Sequence, residues 1–288
     1  MNPLGAGTAV ITFLETQVPM TVRTRFRVGA GISLLLLGLV ASACGPKKEV
    51  VPQGMLEADK FLYERGQELL SNKKWYQARE YFQQIVENYP QSTYRPDAKL
   101  GLGDTYIGEN TTESLILAQN EFKEFLTFYP TNARADYAQY RVGFAHFKQM
   151  RAPERDQTET REAIAEWTAF IERYPNSALS GEVQARLREA KDRLGDSEYS
   201  VGVFYYRVKW YPGAVDRFKA LLANDSGYTR RDAVYYHMAE SMLALSRPAE
   251  ALPYFDTLVQ EFAESEYLER ATKRVAELKA AADAAAKK

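Results

Sequence analysis

One cysteine, two histidines and no excess of charge limit this chain more than anything it contains in abundance. A single Cys44 rules out an intrachain disulfide and any cysteine-cluster metal site. His146 and His237 stand far apart without companions, which excludes a histidine-based zinc site and marks each as a side chain packed on or beside a helix. The 37 basic and 38 acidic residues leave a formal charge of −1, so there is no basic domain for nucleic acid. Gly-x-Ser-x-Gly elbows, phosphate loops and His-Glu-x-x-His pairs are missing, and strand-like alternation is missing too. Glu64, Glu68, Glu121 and Glu124 read as solvated helix faces with basic partners at helical spacing rather than as acid–base pairs. These absences point away from an enzyme.

The first 43 residues read as an address. Arg23, Arg25 and Arg27 precede an apolar stretch from Val28 to Ala43, followed by Cys44-Gly45. About sixteen apolar or small residues are too few for a comfortable membrane span but suit a secretory signal. Ala41-Ser42-Ala43-Cys44 is similar to a lipobox, which implies cleavage before Cys44 and acylation there: an S-diacylglycerol and an N-acyl chain, with no other cofactor. Two or more acyl chains give stable anchoring where one does not. Gly45 after the cysteine implies sorting to the outer membrane. Met20 is the expected start of translation, because it places the arginines close to the N-terminus. Residues 44–55 are then a lipidated tether.

What is abundant is repetition. Ala78, Ala118, Ala163, Ala214 and Ala251 each precede a large aromatic by four residues: Phe82, Phe122, Trp167, Phe218 and Phe255. A spacing of four puts both on one helix face, the alanine admitting a neighbouring helix and the ring filling the space beside it. Twelve residues before the alanine, Gly66, Gly202 and Ala239 supply a second small position; insertions shift it to Gly103 and Gly143 in copies two and three. Pro90, Pro130 and Pro175 close three copies eight residues past the aromatic. Small residues at two positions, an aromatic and a closing proline form the tetratricopeptide signature. The fourth copy breaks at Asn224-Asp225-Ser226-Gly227, and the fifth less clearly at Phe262-Ala263-Glu264-Ser265.

Successive alanines lie 40, 45, 51 and 37 residues apart, against about 34 in the standard repeat. Gly108–Thr112 and Arg151–Thr158 read as insertions within repeats two and three, and Gly181–Gly195 as a helical link between repeats three and four. The expected fold is all-α: a right-handed solenoid of five helix pairs. Residues 56–195 hold repeats one to three with the linking helix, and residues 196–288 hold repeats four and five plus a tail. After Ala280 the composition permits either helix or a frayed end.

In such a solenoid the first helix of each pair lines a concave surface. The repeat phase places Tyr63, Gln67, Asp104, Tyr137, Tyr140 and Phe144 near that groove, either lining it or packing between helices. Aromatic rings with polar tips suit extended or partly folded peptides.

Beyond the repeats, Arg155-Asp156-Gln157, Tyr174-Pro175-Asn176-Ser177, Lys191-Asp192-Arg193-Leu194, Glu198-Tyr199-Ser200-Val201 and Tyr205-Tyr206 resemble, in order and spacing, the BamD family of the outer-membrane β-barrel assembly (BAM) machinery. The resemblance covers about residues 55–278. It implies a lipoprotein in the inner leaflet of the outer membrane, facing the periplasm. Its implied partners are the POTRA region of BamA, the other BAM lipoproteins and unfolded β-barrel proteins. The C-terminal repeats would contact BamA, with Arg217 at that contact, and the first three repeats would receive the substrate. Other periplasmic repeat lipoproteins, organising cell-wall synthesis or secretion, share the same signature; a soluble periplasmic carrier requires that Cys44 not be lipidated.

Overall fold

The computed structural model describes residues 57–286; the start at Met20, the acylation of Cys44 and the tether at 44–55 lie outside them. Eleven helices and no strand occupy the described residues. They pair as α1 (Ala58–Ser71) with α2 (Trp75–Asn88), α3 (Arg95–Glu109) with α4 (Thr112–Phe128), and α5 (Ala135–Phe147) with α6 (Thr158–Arg173). Then come α7 (Ser180–Arg207) with α8 (Tyr211–Asn224), α9 (Arg231–Ala244) with α10 (Pro248–Glu261), and a closing helix α11 (Leu268–Ala286). Each helix packs chiefly on its neighbours in sequence, and first helices also meet, α1 on α3 and α7 on α9. This is an all-α solenoid of five tetratricopeptide-type pairs.

The second helices show why the repeat signature works. Alanine, the aromatic four on and a large apolar residue three beyond that are all buried: Ala78, Phe82, Ile85; Ala118, Phe122, Phe125; Ala163, Trp167, Phe170; Ala214, Phe218, Leu221; Ala251, Phe255, Leu258. Burying each such ring contributes about 1.5–3 kcal/mol. The small residue of the first helix receives the ring. A Cβ built on Gly103 would meet the Phe122 ring at 2.5 Å, and one on Gly66 would meet Phe82 at 2.6 Å. Gly143 and Gly202 stand in the same relation to Trp167 and Phe218. Phe82 is pinched from the far side as well, by Gly101 of α3.

Every second helix ends alike, with a non-helical residue whose N–H still bonds back to the carbonyl four before: Tyr89, Tyr129, Tyr174, Asp225 and Phe262. Copies four and five break at this register without proline. The closing turn is then stapled to the first helix of its own pair. Ser92 Oγ donates to Asp59 at 2.5 Å, Ser177 to Asp136 at 2.6 Å, Thr229 to Asp192 at 2.7 Å and Ser265 to Asp232 at 2.6 Å. In repeat two an ion pair, Arg134 to Asp97 at 2.9 Å, takes that place.

One expectation about length needs correcting. Gly108–Thr112 is not an insertion: α3 runs to Glu109, Asn110 turns the chain in the left-handed region at φ 58°, and Thr111 caps α4 through Ser114. Gly108 is small because the Trp75 indole lies on it. The glycine marks a close approach, not a loop. The Gly181–Gly195 link is helical as expected and runs on without a break into the first helix of repeat four, giving α7 its 28 residues. Its first half packs Val183 and Ala190 against repeat three, and its second half opens repeat four with Tyr199. The Arg151–Thr158 insertion is present as the connection between α5 and α6. Gln157 orders it from within, its amide donating to the carbonyls of Ala152 and Arg155. Finally, the tail is helical to Ala286.

Candidate peptide groove

The candidate groove is built on α3 and α5. Asp104 of α3 sits at its centre with little access to water. The Tyr137 hydroxyl donates to both carboxylate oxygens at 2.8 and 2.9 Å, and Arg141 closes an ion pair at 2.6 Å. Tyr137 and Arg141 are one turn apart on α5, so both reach the same carboxylate across the helix interface. Burial nevertheless raises the Asp104 pKa, because loss of hydration outweighs the two partners. Burial and the facing carboxylate both push the Tyr137 hydroxyl upward, so it remains a donor.

Around this pair lies an aromatic and guanidinium surface. Arg141 lies 5.3 Å from the Phe144 ring centre and 5.6 Å from that of Tyr137. Arg186 of α7 stands over Phe144 and Phe147, and Lys148 Nζ lies 5.5 Å from the Phe144 ring centre. Arg134 lies 4.9 Å from the Tyr137 ring centre while pairing with Asp97. Through Asp97 and Arg134, the surface runs toward Tyr63, which stacks on Tyr94 at 5.1 Å with Gln67 one turn away on α1.

The sequence-derived residues therefore separate into kinds. Asp104, Tyr137, Tyr140 and Phe144 come together; Tyr63 and Gln67 lie one repeat away on the same continuous strip. Tyr140 is buried, stacks on Trp167 and donates to Glu182 at 2.7 Å, with its pKa pushed up to about 12 by burial and that carboxylate. It supports the wall more than it presents a surface. Phe144 is half-buried. Arg134, Arg141 and Arg186 were not found from sequence. Arg141 could have been, four residues after Tyr137; Arg186 lies on another helix and gave no local signal.

The acidic residues also differ from expectation. Glu68 pairs with Arg65 on its own helix, as its spacing suggested, but Glu121 and Glu124 clamp Lys99 of α3 at 2.7 and 2.6 Å. Arg217 is exposed on α8, with Glu198 at 3.6 Å. Both histidines pack beside helices: His146 is buried with Glu159 at 2.7 Å, and His237 sits among tyrosines. Among the described residues no group of acidic, histidine or cysteine side chains could hold a metal ion, and no helix is long and apolar enough to cross a membrane.

A family described as YfiO, outer membrane lipoprotein, matches residues 56–250, which takes in the groove and most of the five pairs. The chain belongs to this family. Its relatives carry the name "outer membrane protein assembly factor BamD". The one from Caulobacter vibrioides is 24% identical over 76% of this chain and 71% of its own length. The one from Rickettsia prowazekii is 24% identical over 82% and 92% respectively. Among solved structures, the TPR2AB domain of yeast Sti1 is similar over 80% of this chain and 86% of its own, at 14% identity and a TM-score of 0.46.

Proposed function

We propose that this family member is an outer-membrane protein assembly factor of the BAM complex, a lipid-anchored periplasmic scaffold and not an enzyme. In this reading, acyl chains on Cys44 hold it in the inner leaflet of the outer membrane, residues 56–195 receive segments of unfolded β-barrel proteins, and residues 196–288 dock to the POTRA region of BamA. The observation that carries the reading is the strip from Tyr63 to Phe144 on the first helices of a chain in this lipoprotein family. It offers ring faces, guanidinium groups and few free carboxylates, which suits weak, sequence-tolerant capture of an extended chain. Weak capture permits release into the membrane. On repeat four, exposed Phe204, Val208 and Trp210 accompany the loosely paired Arg217, the mixture of apolar and arginine side chains that protein docking surfaces favour. Anchoring raises the scaffold's effective concentration beside its partner.

The test is affinity capture of the tagged, full-length protein from detergent-solubilised envelopes, with partners identified by mass. Recovery of a POTRA-bearing barrel protein at near-stoichiometric amounts supports the assembly role. Its absence from outer-membrane preparations that contain the bait would favour a scaffold for cell-wall or secretion machinery. For the groove, Phe144→Ala is the informative variant, since it removes a surface ring and leaves Tyr140 and Trp167 in place. Binding of an unfolded barrel segment is expected to weaken about fivefold or more; unchanged affinity would refute the groove.

A further inference from the structure

The two kinds of turn in the solenoid differ in charge. Within a pair, the chain passes from first to second helix at one edge of the molecule; between pairs it turns at the opposite edge. In repeats one to three the within-pair connections are 72–74, 110–111 and 148–157. They carry Lys73, Lys74, Lys148, Arg151 and Arg155 against Glu154 and Asp156. The connections 89–94, 129–134 and 174–179 carry one charge, Arg134, and Asp97 takes it at 2.9 Å.

The basic turns stand in one row. Trp75, which opens α2, lies on Gly108 near the end of α3, and Arg79 pairs with Glu109, so the first turn abuts the second. A cavity of about 410 Å³ joins the second turn to the third, lined by Asn110 and Thr112 from one and by Lys148, Gln149 and Arg151 from the other. The carboxylates in its wall are held: Asp156 accepts from the Thr158 hydroxyl and N–H at 3.0 and 3.3 Å, and Glu159 meets His146 at 2.7 Å. The cations are not. Lys73, Lys74, Lys148, Arg151 and Arg155 are exposed, and among the described residues none has a carboxylate partner. Unpaired acids at this edge are fewer, Glu113 and Glu154.

The same edge carries apolar side chains. Tyr76 is 70% exposed, Ile116 48% and Leu117 44%, all within the first two turns of α2 and α4. Repeats one to three leave one other large apolar side chain in solvent, Phe128 at the far end of α4. Free lysines and arginines beside an exposed tyrosine and aliphatic chains match the chemistry of a bilayer surface. The cations meet lipid phosphates, and the apolar groups enter the boundary with the acyl chains. A protein partner fits less well, because lysine is depleted from protein–protein interfaces. The family is one of outer-membrane lipoproteins, so a bilayer is the surface at hand.

We propose that this edge of repeats one to three rests on a phospholipid bilayer, held by anionic head groups. The first helices then stand upright on the membrane, and the strip from Tyr63 to Phe144 runs along it. Contact at this edge does not require acylation of Cys44. The test is amide hydrogen exchange of the full-length protein on phosphatidylcholine vesicles with and without phosphatidylglycerol. Residues 72–76, 110–117 and 148–155 are expected to exchange more slowly on the anionic vesicles, with 89–94 and 129–134 unchanged, and raised salt should remove the difference. Combining Lys73→Gln, Lys74→Gln and Arg151→Gln, all at exposed positions, should abolish the protection and leave the melting temperature near that of the parent. Flotation on neutral vesicles reports the acyl anchor separately; its failure discounts the anchor, and the edge must still be protected on anionic ones. Equal protection of both edges, protection indifferent to lipid charge, no protection, or protection that survives in the triple variant overturns the proposal.

Discussion

At the scale of single residues, the turns and the histidines carry the sharpest expectations. Ser177 ties the end of repeat three to Asp136 at its start, so Ser177→Ala leaves a half-buried carboxylate short of a donor. We expect a loss of about 1.5–3 kcal/mol in urea unfolding, the usual scale for a hydrogen bond to a charged group. Lys73 holds a left-handed backbone, φ 58°, in the turn between α1 and α2. Replacement by glycine relieves that strain and should be neutral or stabilising by up to about 1 kcal/mol, whereas valine should cost more than glycine gains. His237 gives a pH dependence. Its folded pKa is depressed from the ordinary value near 6.5 by burial and by Arg270 and Arg207, against the Ala233 carbonyl and Glu240. The unfolded chain therefore takes up a proton that the folded chain refuses. This group's contribution to stability is full above about pH 6.5 and is lost as pH falls through that value toward the folded pKa. Comparing unfolding at pH 7.5 and 5.5 should show a smaller difference in His237→Gln than in the parent protein; an equal difference would discount this account.

At the scale of helices, the fold depends on close approach. Gly143 is the seat of the Trp167 ring, and Gly143→Ala places a methyl group where the indole already lies. A destabilisation of about 1–3 kcal/mol is expected from denaturant unfolding, because the ring is fully buried and cannot retreat. The two kinds of glycine look alike in sequence. Gly108 resembles a loop residue beside Asn110 and Thr111, yet it is helical under Trp75; Gly227 lies in a real turn. Local composition cannot separate them, because the deciding atom belongs to a helix more than thirty residues away. Gly195 looks like a boundary, but it lies within the helix and admits the Tyr228 ring from the turn before α9.

At the scale of the molecule, the solenoid needs an end. The α11 helix contributes Ala271, Val275 and Leu278 to the last cluster and turns charged residues such as Glu269 and Lys273 outward. Terminal repeats need such a polar outer face. Truncation after Phe262 should lower the melting temperature and produce self-association in sedimentation experiments, since α10 would then expose the apolar face it now covers. Restoration of monomer behaviour by a surface charge on α10 would support the capping role.

The alanine–aromatic spacing was sufficient to determine the helix pairs, their number and the buried face of every second helix, because those depend on periodicities within about forty residues. Part of the candidate groove was legible as first-helix positions, since Gln67, Asp104 and Phe144 each follow the small residue of their helix by one. Tertiary structure decided what each of those groups faces. Asp104 could have met solvent or a lysine on its own helix; instead it meets Tyr137 and Arg141 from the next repeat, and Lys99 takes Glu121 and Glu124. Partners across a helix interface are set by packing distance and rotation, which no spacing along the chain records. The basic edge is a product of the same geometry, its turns drawn from helix pairs that only stacking brings together.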